Sequence, residues 1–304
     1  MDPVLGAAAP SERWRRRETL DGASPNRLRF APVGWREVNP DPNSRENMDV
    51  RHRALRSALR PETRSRLEII VAECAGKRVL DLGCVDHEAR QSGRAEWLHG
   101  HVASAASYCL GVDADEVGVK ELVGAGYNMV VADFTGDLGE VERHGPFDVV
   151  VAGEVIEHVA DQQALIVNAR HVLQPGGRLV VTTPNPYAPW RFMAGVRCET
   201  WENVDHVVYA FPSGMAELAD RCDMRLVSWS TIDDTRRGDL RLAARLLVTR
   251  TVKRKPFPIG YVNPLVLGLL RRHSCLGTAG ETAIYVLERP DAAPGGVGQD
   301  PQLT

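Results

Sequence analysis

Short apolar runs alternate with helix-like segments along most of this sequence, and nothing else in it narrows the possible folds as far. Residues 78–82, 108–113, 128–133, 147–152, 178–183 and 225–230 read as strands. Residues 95–105, 115–124, 161–173 and 212–222 read as the helices between them. Strands that alternate with helices predict a parallel sheet with helices on both faces. The run Val149-Val150-Val151 has no polar partner in alternation, as expected of a strand covered on both sides. Residues 282–288 form a last strand. Upstream, residues 47–75 take a helical period, with Leu67, Ile70, Val71 and Cys74 on one face and Gly76 as the stop.

At 304 residues, 43% hydrophobic and 25% charged, the chain suits one large globular domain with appendages. Residues 1–45 are rich in Pro, Arg, Asn and Ser and are expected to be a poorly ordered arm. The main domain is expected over 46–290, with an insertion at 234–280 and a flexible tail at 291–304. A net charge of −3 gives no global field for nucleic acid, which is not an expected partner. The insertion is locally different. Between Arg236 and Lys255 eight basic residues face one acidic residue, Asp239, and Leu240, Ala243, Ala244 and Leu247 can share a helical face. This is either a solvated helix face or a surface for anionic lipid or an anionic acceptor. With the apolar run 265–270 it leans toward peripheral membrane contact through 236–270, or a lid.

The six cysteines form no C-x-x-C pair, so they read as reduced thiols of a cytoplasmic protein. No signal peptide and no bilayer-spanning run is read. Arginine outnumbers lysine heavily and alanine is frequent, as in GC-rich bacterial genomes.

Chemistry gathers at the strand ends. Val79-Leu80-Asp81-Leu82-Gly83-Cys84 is a buried strand that runs into a loop where Gly83 lets the backbone approach a ligand. Asp81 can accept from loop amides or, through water, from a ligand ammonium. Asp113 ends the second strand, where a carboxylate can take a ribose diol, and Asp133 ends the third, within reach of an adenine amine. The bland alternative for either is a helix cap. Then follow Phe147-Asp148-Val149-Val150-Val151-Ala152-Gly153-Glu154-Val155-Ile156-Glu157-His158 and the turn Leu173-Gln174-Pro175-Gly176-Gly177 before another strand. A dinucleotide-binding fold would want G-x-G-x-x-G after its first strand, and Gly83-Cys84-Val85-Asp86-His87 lacks the later glycines.

In this order and spacing the five segments resemble the class I S-adenosylmethionine (SAM)-dependent methyltransferases, over residues 65–233 and the strand at 282–288. The resemblance implies a doubly wound, Rossmann-like α/β sheet of seven strands with the last one antiparallel. It implies SAM as cofactor, with Asp81 and Gly83 at its methionine end, Asp113 at the ribose, Asp133 and Phe134 at the adenine, and Glu154 also facing it. Val85 departs from the family, which usually has glycine there, so the loop is expected to take a different path.

The acceptor side is expected just past the fourth strand. If that segment turns helical, Glu154, Glu157 and His158 project to one side. Their Glu-x-x-Glu-His pattern resembles the metal site of small-RNA 2′-O-methyltransferases and ubiquinone-pathway O-methyltransferases. The candidate ligands for a divalent metal ion are Glu154, Glu157, His158 and, from downstream, Asp205-His206. Without metal, His158 or His206 is the candidate base, beside Glu154. The plain alternative is a capping Glu157 and a packed His158. Pro184-Asn185-Pro186-Tyr187 and Trp190-Arg191-Phe192 are expected to overhang the acceptor, or simply to pack as loops. The resulting expectation is O-methylation of a small-molecule or lipid- or glycan-linked acceptor. N- or C-methylation of a specialised metabolite, or a non-catalytic SAM-binding scaffold, are the alternatives.

Overall fold

The computed structural model describes residues 35–85, 97–196, 198–200, 202–232 and 278–291. The basic stretch 236–255, the run 265–270, most of the expected insertion and tail, and residues 1–34 of the expected arm lie outside the described residues.

In chain order the elements are α1 (Trp35–Val38), α2 (Arg45–Ala58), α3 (Arg66–Cys74), β1 (Arg78–Leu82), α4 (Leu98–Ala105), β2 (Tyr108–Asp113), α5 (Glu116–Gly124), β3 (Met129–Val131) and α6 (Gly139–Glu142). They continue with β4 (Phe147–Gly153), α7 (Gln162–Val172), β5 (Leu173–Pro184), α8 (Pro189–Val196), α9 (Pro212–Arg221), β6 (Arg225–Ile232) and β7 (Thr282–Glu288). The strands form one seven-stranded sheet in the order β3-β2-β1-β4-β5-β7-β6. β1 to β5 run parallel, and β7 is antiparallel to both β5 and β6. This is the doubly wound sheet with an antiparallel last strand that the sequence implied.

Period-2 alternation divides the core in two. Val79, Cys109, Val149, Val151, Val180 and Ile284 point to one face, where Ile69, Ile70 and Cys74 of α3 and Val102 of α4 cover them. Leu80, Leu82, Leu110, Val112, Val150, Leu179, Val181 and Tyr285 point to the other, beneath Leu165, Ile166 and Ala169 of α7 and Met215 and Ala219 of α9. The central strands are therefore apolar on both faces, which is why they read as near-continuous apolar runs.

Three local features differ from expectation. The helical stretch at 47–75 is two helices, because Pro61 lacks an N–H and biases Arg60 toward extended backbone. The second helix restarts on a capping box: the Ser65 hydroxyl accepts from the Glu68 amide, and the Glu68 carboxylate accepts from the Ser65 amide at 2.7 Å. Residues 35–45, assigned from sequence to the loose arm, hold α1 and the start of α2. Trp35 Nε1 donates to Glu217 of α9 at 3.0 Å, and Arg51 of α2 pairs with the same carboxylate at 2.8 Å. The Pro-Gly-Gly turn is taken into β5. Phe147 pairs with Leu173 and Val149 with Arg178, so residues 174–177 bulge opposite Asp148, with Gly176 at φ +75°.

No helix among the described residues is long and apolar enough to cross a membrane. Cys74, Cys84, Cys109 and Cys222 are buried free thiols and Cys198 is an exposed one.

Gly280, just before β7, lies against the backbone of Ile232: a Cβ there would sit 2.4 Å from the Ile232 carbonyl oxygen. Its own carbonyl receives Asn185 Nδ2 at 2.6 Å and so anchors the loop after β5. Gly280→Ala should cost on the order of 1–3 kcal/mol by urea unfolding, because backbone rather than a flexible side chain must move. Unchanged stability would refute this close approach.

Candidate functional site

The strand order reverses between β1 and β4, so their carboxyl ends flank the crevice where open α/β sheets bind ligands. Gly83 closes the end of β1 with φ +63°, and a Cβ there would lie 2.5 Å from Val155 Cγ2 of the loop after β4. Only glycine allows the two loops to come this close.

Asp113, at the end of β2, ties the glycine loop down. Its Oδ2 accepts from the Val85 amide at 2.9 Å and its Oδ1 from the Asp115 amide at 2.9 Å. Each oxygen retains a second lone pair, so the carboxylate can hold the loop and still accept from a diol. Val85 contributes its amide to this clasp and is not among the residues at positive φ. Residues 86–96 lie outside the described residues.

Asp81 is 1% exposed, and its partner is His99 of α4, whose Nδ1 is 2.9 Å from Oδ2. His99 is equally buried and packs with the rings of Trp97 and Tyr127, at 5.3 and 5.6 Å. Trp97 Nε1 donates to the Cys84 carbonyl at 3.1 Å, so this aromatic group also braces the glycine loop. Gly111 makes room for it: a Cβ there would be 2.8 Å from His99 Cε1 and 2.8 Å from Cys84 Sγ. Asp133 is exposed and accepts from the Thr135 amide and hydroxyl, and the hydroxyl bond holds its pKa below the ordinary value. Phe134 is buried in the core cluster that includes Leu138 and Val141.

Past β4 the chain makes a single turn rather than a helix, with the His158 amide donating to the Val155 carbonyl at 3.0 Å. Glu154 opens the turn at φ +60°, a left-handed conformation uncommon for a non-glycine residue. Its amide donates to the Thr182 carbonyl of β5 at 2.9 Å. This geometry brings Glu157 and His158 together with His206, one ligand atom of each lying within 4.8 Å of the others. Glu154 is not in that group of three, but it acts on it electrostatically. Burial pushes the Glu157 carboxyl up to about 8, and the neighbouring Glu154 carboxylate adds to the rise. Both Glu157 oxygens and Glu154 Oε1 are buried without a hydrogen-bond partner. Orphaned buried carboxylate oxygens beside two imidazoles fit a divalent cation as a donor set.

Both histidines are held from behind. His158 Nδ1 is 3.0 Å from Asp205 Oδ2, and His206 Nδ1 is 3.2 Å from the Tyr209 hydroxyl. The two rings meet edge to face at 4.6 Å. Burial, and then the nearby His158, lower the His206 pKa. The segment itself is pinned by the Val207 amide, which donates to the Glu157 carbonyl at 2.8 Å. In the loop after β5, Tyr187 is half-exposed and its ring meets Phe211 edge to face at 5.3 Å.

His99, Tyr209, Glu202 and Arg191 were not singled out for these roles from sequence. His99 acts on Asp81 from a different element, whereas Tyr209, Glu202 and His206 lie close together in the one segment between α8 and α9 without forming a recognisable motif.

A doubly wound sheet in this strand order, a glycine loop clasped to the end of β2 and a polar cluster after β4 define a class I SAM-dependent methyltransferase. A family model described as a methyltransferase domain matches residues 44–227, more than half of the chain, and the chain belongs to that family. The ubiquinone biosynthesis O-methyltransferase of Xylella fastidiosa is 30% identical over 146 residues, 48% of this chain and 55% of that protein. The protein of the same name from Sinorhizobium medicae is 32% identical over 133 residues, 41% of this chain and 45% of that one. The chain thus spans about half the length of the curated relatives it matches. The complex between the Haloferax volcanii Trm112 methyltransferase activator and a methyltransferase has the same fold, at 14% identity and a TM-score of 0.50, covering 81% of this chain and 92% of that one.

The Glu157 shift has a definite sign. The folded protein keeps a proton up to about 8 that an unfolded carboxyl releases near 4.5. The stability gained is full below the lower value and is lost as pH rises through the upper one, by up to about 1.4 kcal/mol per pH unit between them. In chelator, the wild-type Tm should fall from about pH 5 to about pH 9, and Glu157→Gln should flatten that fall. Parallel curves would contradict the assignment.

Proposed function

We propose that the chain transfers the methyl group of SAM to a hydroxyl of a small-molecule or lipid- or glycan-linked acceptor. The observation that carries this reading is the group Glu157, His158 and His206, set after β4 beside the glycine-loop crevice. Two of the relatives bear the name ubiquinone biosynthesis O-methyltransferase, which supports a hydroxyl acceptor.

The residues suited to holding SAM are the loop at Gly83, with Asp113 for the ribose and Asp133 for the adenine. A sulfonium supplies a methyl group that is already activated, so the protein's task is alignment and exclusion of water. The Gly83–Val155 contact brings the two loops of the crevice together, and the Asp113 clasp fixes the glycine loop.

A hydroxyl acceptor must also lose its proton. Glu157, His158 and His206 are the residues that would hold a divalent ion, with Asp205 and Tyr209 orienting the imidazoles. Such an ion would lower the pKa of the acceptor hydroxyl. One observation favours a second reading without metal. His206, its pKa lowered by burial, is neutral near pH 7 and can take the proton itself. Within either reading the enzyme works in the cytoplasm, at a membrane surface when the acceptor is lipid-linked.

Calorimetry tests the donor. SAM should bind, and Asp113→Ala should weaken it by about 1.5–3 kcal/mol, the range for hydrogen bonds to a charged group. No binding at millimolar SAM would sink the proposal, and unchanged affinity in the variant would remove the ribose assignment. Chelation tests the ion: activity should vanish in metal-free protein and return with a divalent cation. Full activity after chelation would leave His206 as the base. Binding of SAM without turnover on hydroxyl acceptors would favour N- or C-transfer or a scaffold.

A further inference from the structure

We propose that Glu202 and Tyr209 are positioning residues that lock His206 in the tautomer protonated on Nδ1, leaving Nε2 as its only lone pair. The inference rests on His206 serving the acceptor, as base or as ligand, and it adds how the ring is prepared for either task.

Hydrogen-bond direction carries the argument. An ionised Glu202 carboxylate can only accept. Tyr209 lies with its hydroxyl 2.5 Å from Glu202 Oε2, so its single proton is directed there. Toward His206 Nδ1, at 3.2 Å, the phenol oxygen has only lone pairs left, and Nδ1 must bring the hydrogen.

Arg191 orients Glu202. Its Nε and Nη2 donate to the two carboxylate oxygens at 2.8 and 3.2 Å, a two-pronged pairing that fixes the plane of the carboxylate. Its Nη1 donates to the Asn185 carbonyl at 2.9 Å, and its guanidinium lies over the rings of Trp190 and Tyr209, at 4.4 and 5.1 Å. Asn185, 1% exposed, is fixed in turn by the Thr278 and Gly280 carbonyls, at 3.0 and 2.6 Å. An unbroken series of oriented hydrogen bonds, with Glu202 accepting from both sides, thus runs from the end of β5 to the His206 ring. His158 has the same arrangement in shorter form, with Asp205 at its Nδ1. A free neutral imidazole prefers its proton on Nε2, so the clamp reverses the solution preference.

The test is long-range 1H–15N correlation on the 15N-labelled full-length chain, in chelator and slightly above neutral pH, with His206 assigned from the signals lost in His206→Gln. Wild-type His206 should show a protonated Nδ1 and an unprotonated Nε2. Tyr209→Phe removes the acceptor and should return the ring to the Nε2-protonated form. Glu202→Gln, which can also donate to the phenol, should give a mixture. Both variants should lose about 10- to 100-fold in kcat, the usual effect of an orienting partner, with the KM for SAM unchanged. A wild-type ring protonated on Nε2, or a wild-type spectrum in both variants, would overturn the proposal. The tautomer is read without acceptor or metal, so a failure of methyl transfer would count against the functional reading alone.

Discussion

Helices cover both faces of the central strands, and that double covering governs where this chain can carry chemistry. A polar group partway along β1, β2, β4 or β5 would be cut off from water and would need a partner. Asp81 is such a group and has such a partner, His99, placed by α4. The carboxylates that face the crevice lie beyond the apolar runs, at the carboxyl ends of the strands. Asp113, Asp133 and Glu154 all follow from this rule, and the reversal of strand order between β1 and β4 brings their loops to one crevice.

The same covering explains how much could be read from the sequence. An apolar run buried on both faces is easy to recognise, and the bounds expected for β1, β2 and β7 match the structure. Strand-end carboxylates stand out for the same reason, because charge appears abruptly after such a run. What was not legible depends on side-chain contacts that no motif encodes. Nothing near His99 indicates that it will face Asp81, and the order Glu202, His206, Tyr209 within one loop does not reveal that Tyr209 bridges the other two. The split of residues 47–75 is different, since Pro61 and the Ser65–Glu68 pair are local signals that a helical period alone overrides. The turn after β4 shows a further limit. Helical spacing would align Glu154 with Glu157 and His158, whereas the tight turn substitutes His206, from a loop some fifty residues on, as the third member.

Electrostatically the cluster after β4 is unbalanced. Both Glu157 oxygens and one Glu154 oxygen are buried without a hydrogen-bond partner, and Arg191, in the loop beside them, is committed to Glu202. Most buried carboxylates are satisfied by donors. A site that holds acceptors together without donors suits a proton or a cation, and both are useful to an enzyme that must take a proton from a hydroxyl.

Glu154 illustrates what such a site demands of the backbone. Its left-handed conformation costs of the order of 1–3 kcal/mol that glycine would not incur. A redesign guided only by backbone comfort would choose glycine here early, gain thermal resistance, and delete the carboxylate that faces Glu157. Stability and utility are thus opposed at a single residue, and a laboratory search for hardier variants would have to hold this position fixed while improving others.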